Sequence, residues 1–166
     1  MEKTDIHIIG LGNLGSAFLE GLMTSNKEFS IKVYELNTHI LKIYEKKFSE
    51  NEYFNSFDEF KSGVLILCVK PQSVNEIFEH IKDKIHDDVL ICSPIAGLEI
   101  DHIEKSITNK IIRIMPNLLI SNNKGFIPYA KNYENDYLDF IQSTLNHLGR
   151  TKEFSEQYFP VITALS

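Results

Sequence analysis

Short apolar runs alternate with segments of helical spacing along the whole chain. Two of the runs, 64–69 and 89–92, are continuously apolar, which is typical of parallel strands covered on both faces. The segment that follows the N-terminal apolar run at 6–9 instead places Leu14, Phe18 and Leu22 on one face of a helix. This alternation predicts an α/β fold, with a doubly wound, mostly parallel sheet and helices on both of its faces.

The same pattern sets the bounds of the predicted elements. Strands are predicted at 5–9, 30–35, 53–55, 64–69, 89–92, 110–115, 125–130 and 150–154. Helices are predicted at 13–25, 38–48, 73–82, 99–105 and 134–148, with a further short helix from Ser56. In the second helix we expect Thr38 to be the cap, and we expect the apolar side to consist of Ile40, Ile43, Tyr44 and Phe48.

The first strand runs directly into a glycine-rich turn that opens a helix. The turn carries the spacing G-x-G-x-x-G at Gly10, Gly12 and Gly15. In such a turn the first glycine allows the bend, the second lets the backbone approach a pyrophosphate, and the third lets helix and strand pack closely. The helix N-terminus adds unpaired N–H groups and the positive end of its dipole. A purely structural turn is the alternative. We predict a Rossmann-like dinucleotide site that uses the whole turn: Gly10, Leu11, Gly12, Asn13, Leu14 and Gly15.

Small, rigid or polar residues also follow the other strands of the predicted sheet. Ligands of open α/β sheets bind beyond the carboxyl ends of the strands, where the strand order switches. The candidate strand ends are therefore 35–37, 70–72, 94–97 and 115–117. Glycine and proline also end strands for structural reasons, which explains any one turn more easily than all of them together.

Three side chains at these strand ends have a predicted chemical role. Glu35 follows Gly15 by twenty residues, near the position where a carboxylate binds the adenosine ribose hydroxyls and repels a 2′-phosphate. No arginine lies within 35–40 to accept that phosphate, so NADH is favoured over NADPH. Lys70 could hold the shape of the site or a substrate anion, and Asn117 could bind a carboxamide. The alternatives are a solvated glutamate, a solvent-facing lysine and a turn asparagine.

Composition limits the classes of function. The 166 residues are 43% hydrophobic and 24% charged, which fits one globular domain with a sizeable core. The net charge of −6 argues against a nucleic-acid surface and against binding to anionic membranes. The N-terminus lacks the apolar stretch of a signal peptide, and no run is long enough to span a membrane. Cys68 and Cys92 lie in apolar runs and are expected to be reduced, so a cytoplasmic protein is predicted.

The histidines indicate neither a metal site nor a catalytic group. They do not pair with each other or with a cysteine at ligand spacing, and no Ser-His-Asp or Cys-His arrangement can be argued. They are His7, His39, His80, His86, His102 and His147. We therefore predict no metal and name no catalytic residue in this chain.

Five stretches, in order along the chain, resemble the N-terminal dinucleotide-binding domain of the pyrroline-5-carboxylate reductase family. The glycine turn at 8–15 resembles the first strand and loop of that family, and Cys-Val-Lys-Pro-Gln at 68–72 resembles its Ala-Val-Lys-Pro-Gln signature. The stretches at 95–97, 112–117 and 163–166 resemble its Ala-Ala-Gly turn, its Arg-x-Met-Pro-Asn strand end and the opening of its Thr-Ala-Leu-Ser segment.

The resemblance implies an NAD(P)H-dependent enzyme that reduces 1-pyrroline-5-carboxylate, a small cyclic imine, to L-proline. The glycine turn would hold the pyrophosphate, Glu35 and Asn37 would meet the adenosine ribose, and Asn55 would lie near the adenosine. The residues implied to line the nicotinamide are Val69, Lys70, Pro71, Ala96, Gly97 and Asn117.

Departures from the family pattern keep two alternatives open. The family usually has Thr-Pro after Met-Pro-Asn, whereas this chain has Leu118 and Leu119, and Pro94 and Ile95 replace smaller residues. One alternative is a non-catalytic module that binds a dinucleotide for regulation. The other is a reductase of a different cyclic imine.

The resemblance also implies a domain division. Residues 1–154 would form the NAD(P)-binding domain, and 155–166 would begin a C-terminal helical dimerisation domain that this chain lacks. We therefore expect the 166 residues alone to be inactive, and the full-length protein to be a homo-oligomer. The apolar end at 158–162 would pack on the missing domain.

Overall fold

An eight-stranded sheet forms the centre of the molecule in the computed structural model, which describes residues 3–25, 27, 29–134 and 138–165. The strands are β1 Thr4–Ile9, β2 Phe29–Tyr34, β3 Glu52–Phe54, β4 Val64–Leu67, β5 Leu90–Ser93, β6 Ile111–Ile114, β7 Gly125–Lys131 and β8 Gly149–Glu153. Their order across the sheet is β3-β2-β1-β4-β5-β6-β7-β8. Neighbouring strands are parallel except β6 and β7, which are antiparallel. The predicted mostly parallel sheet is confirmed.

Helices cover both faces of the sheet. They are α1 Asn13–Met23, α2 Thr38–Lys47, α3 Val74–Ile81, α4 Ile100–Glu104, α5 Leu138–Phe140, α6 Asn146–Leu148 and α7 Phe159–Leu165. A π-helical stretch at Ile141–Leu145 joins α5 to α6, and short 3-10 turns lie at Pro71–Ser73, Lys82–Lys84, Leu118–Asn122 and Glu156–Tyr158. An apolar layer lies between the sheet and the helices on each face.

Successive side chains of a strand point to opposite faces of the sheet, so one strand can contribute to both layers. On one face, Ile8 and Ile66 pack with Phe18 of α1 and Leu148 of α6. On the other face, Leu65 and Ile91 pack with Phe78 and Ile81 of α3, Ile103 of α4 and Phe159 of α7. Because β4 and β5 are buried on both faces, they read as continuous apolar runs in the sequence.

The strand order switches between β1 and β4. From β1 the chain proceeds outward through β2 to β3, and it then returns to β4 on the other side of β1. Ile8 of β1 is in register with Val33 of β2 and with Ile66 of β4. The loops after β1 and β4 therefore diverge, and they leave a crevice at this edge of the sheet.

The cap and the apolar side of α2 differ from the sequence prediction. The N-cap is Asn37, not Thr38, because the side-chain oxygen of Asn37 accepts hydrogen bonds from the backbone N–H groups of His39 and Ile40. The side of α2 that faces the core carries Leu41 together with Ile40 and Tyr44, whereas Ile43 is 51% exposed. The predicted contribution of Ile43 to the apolar side was wrong.

The short helix predicted from Ser56 does not form. Phe60 instead makes a parallel bridge with Ile85, in which its N–H donates to the carbonyl oxygen of Lys84 and its carbonyl accepts from His86. Extended backbone is therefore fixed by a segment distant in sequence, and local helical propensity does not decide the conformation.

The last long helix and the chain terminus are described only in part. The helix predicted at 134–148 is helical from Leu138 to Leu148, and 135–137 lie outside the described residues. The terminal stretch resembling Thr-Ala-Leu-Ser forms the end of α7 as far as Leu165, and its Ser166 also lies outside them.

β1 carries a buried histidine, His7. The ring of His7 is edge-on to Phe60, its Nε2–H donates to the carbonyl oxygen of Ser62 at 3.1 Å, and its Nδ1 accepts from the Tyr34 hydroxyl at 3.4 Å. Burial lowers the pKa of His7 below its ordinary value of 6.5, and burial also raises the pKa of Tyr34 to about 12. The protonated histidine is therefore disfavoured in the folded protein.

This burial makes stability depend on pH in a defined direction. As pH falls through 6.5, the unfolded chain takes up a proton at His7 before the folded protein does, so the free energy of unfolding falls. We expect urea unfolding from about pH 8 to about pH 5 to show this loss, and we expect His7→Gln to reduce its slope below pH 6.5. His102→Gln, at an exposed position, is the matched control. Equal slopes in the wild type and His7→Gln would contradict this prediction.

The glycine turn gives a second stability prediction. A Cβ on Gly15 would lie 1.9 Å from the carbonyl oxygen of Gly10, whereas one on Gly12 would have nothing within 4 Å. Gly15→Ala should therefore lower the free energy of unfolding by about 3 kcal/mol, because backbone must move to make room. Gly12→Ser should leave it nearly unchanged, since serine suits the N-cap position. Similar free energies of unfolding for Gly15→Ala and Gly12→Ser, measured with urea, would contradict this packing argument.

Candidate functional site

The glycine turn presents the N-terminus of α1 at the switch point of the sheet. Gly10 has φ +94°, and a Cβ there would lie 2.4 Å from the carbonyl oxygen of Cys68. Gly12 is the N-cap of α1 and is exposed, and no side chain caps the helix there. Gly10 and Gly15 are therefore needed for packing, whereas Gly12 keeps the helix N-terminus open to a ligand. Open N–H groups at a helix N-terminus suit an anionic group.

Glu35 fastens the glycine turn to the end of β2. One carboxylate oxygen accepts from the backbone N–H of Leu11 at 2.8 Å, and the other accepts from the backbone N–H of Asn37 at 2.8 Å. Each oxygen keeps a further lone pair for another donor. The sequence placed Glu35 at the correct edge, but it gave no sign that this side chain also holds the neighbouring loop.

A cleft at this edge has a volume of about 660 Å³ and opens between the ends of β1, β2 and β4. That size is in the usual range for small-molecule sites. Seven of the residues predicted for the site line it: Gly10, Gly12, Glu35, Asn37, Asn55, Val69 and Lys70. The structure thus brings together residues that follow four separate strands, β1, β2, β3 and β4.

The remaining predicted residues lie elsewhere. The side chain of Leu11 is buried, Gly15 is buried behind the turn, Leu14 packs against the core, and Asn13 is exposed at the start of α1. A neighbouring groove of about 370 Å³ is lined by Pro71, Ala96 and Gly97. Asn117 lies beyond the next strand, where its side-chain oxygen accepts from the N–H of Phe126 at 3.4 Å. The predicted set is therefore divided between a cleft, a groove and a strand end.

Sequence reasoning missed several residues that line the cleft. Ile40 and Phe57 give it apolar walls, and α3 and the turn after it contribute Ile77, His80 and Lys84. The Lys84 ammonium donates to the carbonyl oxygen of Phe57 at 2.8 Å and so joins the two walls. The helical period of α3 places Ile77 beside the cleft, but only the sheet order shows which helix borders it.

The departures at Pro94 and Ile95 lie directly after β5. Both residues are buried, and Ile95 belongs to the apolar layer below the sheet. Leu118 and Leu119 are instead more than half exposed in the 3-10 turn after β6. The backbone of Ala96 and Gly97 therefore remains open, and a Cβ on Gly97 would have nothing within 4 Å.

The two thiols are free and protonated. Cys92 is buried, Cys68 lines the cleft, and burial raises the pKa of both thiols above the ordinary range. Within residues 3–25, 27, 29–134 and 138–165, no group of three or more histidine, cysteine or acidic side chains could hold a metal ion. In the same part of the chain, none of the helices has the length and apolar character to cross a membrane.

A buried arginine with no predicted role lies near the end of β6. Arg113 is 3% exposed, and its Nη1 donates to an oxygen of Glu156 at 2.6 Å. The same oxygen accepts from the backbone N–H of Ile100 at 2.9 Å, at the start of α4. The segment after β8 is thereby joined to both β6 and α4. No short sequence motif predicts this ion pair, because its two residues are 43 positions apart in the sequence.

Relatives that are similar in sequence include several pyrroline-5-carboxylate reductases. The chain is 26% identical over 165 residues to pyrroline-5-carboxylate reductase of Staphylococcus epidermidis, which covers 95% of this chain and 61% of that protein. It is 27% identical over 176 residues to pyrroline-5-carboxylate reductase of Methanosarcina acetivorans, which covers 100% of this chain and 64% of that one. The chain thus spans less than two thirds of the length of these relatives.

Solved structures share the fold. A pyrroline carboxylate reductase of Plasmodium falciparum with NADP bound has a TM-score of 0.83 at 24% identity, over 99% of this chain and 62% of that one. A pyrroline-5-carboxylate reductase of Coxiella burnetii has a TM-score of 0.85 at 24% identity, over 99% of this chain and 64% of that one. These likenesses establish the Rossmann-like architecture of the chain.

A protein-family model adds the assignment. The model described as "NADP oxidoreductase coenzyme F420-dependent" matches residues 5–97, which is more than half of the chain. The matched stretch contains the glycine turn, Glu35 and every other residue that lines the cleft. By this match, the chain belongs to the family of coenzyme F420-dependent NADP oxidoreductases.

Proposed function

We propose that this chain is the cofactor-binding half of an NAD(P)H-dependent reductase that converts 1-pyrroline-5-carboxylate to L-proline. The observation that carries the proposal is the cleft at the switch point, where an uncapped helix N-terminus and Gly12 leave room for a pyrophosphate. The substrate in this proposal is the one that the names of the relatives give.

The order of the strands gives the cofactor its direction. With the pyrophosphate at the end of β1, one nucleoside extends over β2 and the other extends over β4 and β5. Glu35 and Asn37 stand on the β2 side, where the carboxylate can accept ribose hydroxyls in addition to its two backbone donors. The adenosine therefore belongs on this side, and Asn55 lies on the same wall.

The nicotinamide belongs on the opposite side, at the open backbone of the loops after β4 and β5. Val69 and Lys70 border the cleft there, and Pro71, Ala96 and Gly97 line the adjoining groove. Asn117 follows at the end of β6. A bound nicotinamide cofactor would supply a hydride for the imine carbon. The residues named here would position it, and a protonated imine needs mainly positioning to accept the hydride.

We further propose that turnover needs the longer protein. In this proposal the residues from 155 onward begin a helical domain through which the full protein forms a homo-oligomer. One observation supports it: α7 buries Phe159 against the sheet but leaves Val161 and Leu165 largely exposed. Such apolar positions on a helix are typical of a surface that packs on another element.

The direct test is a pair of measurements on this chain. Titration with NADH and with NADPH, followed by the fluorescence of the reduced nicotinamide, should show saturable binding. Oxidation of the cofactor in the presence of pyrroline-5-carboxylate should be negligible for these 166 residues. Failure to bind either cofactor contradicts the cofactor site, and steady turnover contradicts the need for a longer protein. Turnover with a six-membered cyclic imine alone would favour the alternative substrate.

Gly12 tests the location of the pyrophosphate. Gly12→Ser should weaken binding of NADH and NADPH by about tenfold or more, because its side chain occupies the open space in front of α1. Its free energy of unfolding should stay close to that of the wild type. Unchanged binding in a folded Gly12→Ser protein would place the pyrophosphate elsewhere.

Glu35 tests the choice of cofactor. Removing the carboxylate in Glu35→Ser should improve binding of NADPH relative to NADH, because the repulsion of the 2′-phosphate is lost. Affinity for both should fall as well, since Leu11 N–H loses its acceptor. Glu35→Gln is the matched variant, because it removes the charge but keeps the length. If the ratio of the two dissociation constants stays the same in both variants, Glu35 does not select the cofactor.

A further inference from the structure

Glu156, in the segment after β8, contacts both the sheet and α4. The same oxygen of Glu156 accepts from Arg113 Nη1 at 2.6 Å and from the backbone N–H of Ile100 at 2.9 Å. Hydrogen bonds between charged groups are the stronger ones, and here the donor is almost fully buried. Glu156 itself is 26% exposed, so the pair sits at the border of the core.

Arg113 depends on this partner. Its Nε is buried without a hydrogen-bond partner in the part of the chain that the structure describes. Its guanidinium carbon lies 4.7 Å from the ring centre of Phe159, which is fully buried. Glu156 supplies the opposite charge, and Phe159 covers the other side of the guanidinium. Loss of the carboxylate would leave a buried charge poorly compensated.

The loop at 94–99 lies between two residues that are joined to the Arg113–Glu156 pair. It begins after Ser93, which is in register with Arg113 on the neighbouring strand. It ends at Ile100, whose N–H is bound by Glu156. Between these points the backbone turns through Gly97 with φ +74°, and Ala96 and Gly97 line the groove beside the cleft. The conformation of this loop is therefore tied to Glu156 at its far end.

We propose that Glu156 is a positioning residue for the nicotinamide half of the cofactor site. It acts through α4: by holding the N–H of Ile100 and the charge of Arg113, it fixes the loop at 94–99 against the end of β5. This inference rests on the proposed function, because it takes the groove at Ala96 and Gly97 as the place of the nicotinamide. It also links the C-terminal segment, 156–159, to the side of the site on which hydride transfer would occur.

The test compares two ligands that differ only in the nicotinamide end. NADPH spans both halves of the site, whereas 2′-phospho-ADP-ribose lacks the nicotinamide ring. Glu156→Gln keeps an acceptor for the N–H of Ile100 but removes the charge, and Glu156→Ala removes both. We expect the dissociation constant of NADPH to rise about fivefold in Glu156→Gln and further in Glu156→Ala, with that of 2′-phospho-ADP-ribose changed by less than about twofold.

The control is Glu153→Gln, an exposed glutamate that lines the same surface cavity as Glu156. It should leave both dissociation constants unchanged. Amide hydrogen exchange at 96–98 without any ligand gives a second readout, and we expect it to accelerate by about fivefold or more in Glu156→Gln. This readout stays informative if Glu156→Ala does not fold.

Equal loss of affinity for both ligands, or unchanged exchange at 96–98, overturns the positioning role and leaves the proposed function intact. A wild-type chain that binds neither ligand overturns the proposed function, and the positioning role falls with it. Selective loss of NADPH affinity together with faster exchange supports the positioning role.

Discussion

The close approach of backbone segments at the first turn is the constraint on which the site depends. The carbonyl oxygen of Gly10 lies where a side chain on Gly15 would be, and the carbonyl of Cys68 lies where one on Gly10 would be. α1 can therefore start immediately beyond β1 and against the end of β4. This contact fixes the helix N-terminus over the switch point of the sheet, and the open position at Gly12 follows from it.

Two glutamates then hold the loops that this contact leaves free. Glu35 binds backbone N–H groups of the glycine turn and of the turn after β2, and Glu156 binds the first N–H of α4 together with a buried arginine. Each carboxylate adds a polar contact to loops that bury only a few apolar side chains, among them Leu11 and Ile95. The sheet is thus stabilised by apolar packing, and the shape of its ligand-binding edge depends on a few polar contacts.

Prediction from sequence succeeded where one local pattern decides the structure. The continuous apolar run at β4 and the spacing of Gly10, Gly12 and Gly15 each have one common physical explanation, and both were placed correctly. Prediction failed where two elements compete or where distant segments meet. Asn37 displaced Thr38 as a cap because its side chain reaches two N–H groups. The bridge of Phe60 to Ile85 replaced a helix at 56, and the ion pair of Arg113 with Glu156 joins segments that share no motif.

The most direct measurement of the central claim is a map of backbone amide chemical shifts as NADPH is added to the chain. We expect the signals of Gly12, Asn37, Val69 and Gly97 to move together and to saturate at the same concentration, because one cofactor would occupy both the cleft and the adjoining groove. The sheet offers another surface cavity of about 440 Å³ beside Asp101 and Asn132, away from the glycine turn. Shifts confined to that cavity, with Gly12 unmoved, would contradict the account.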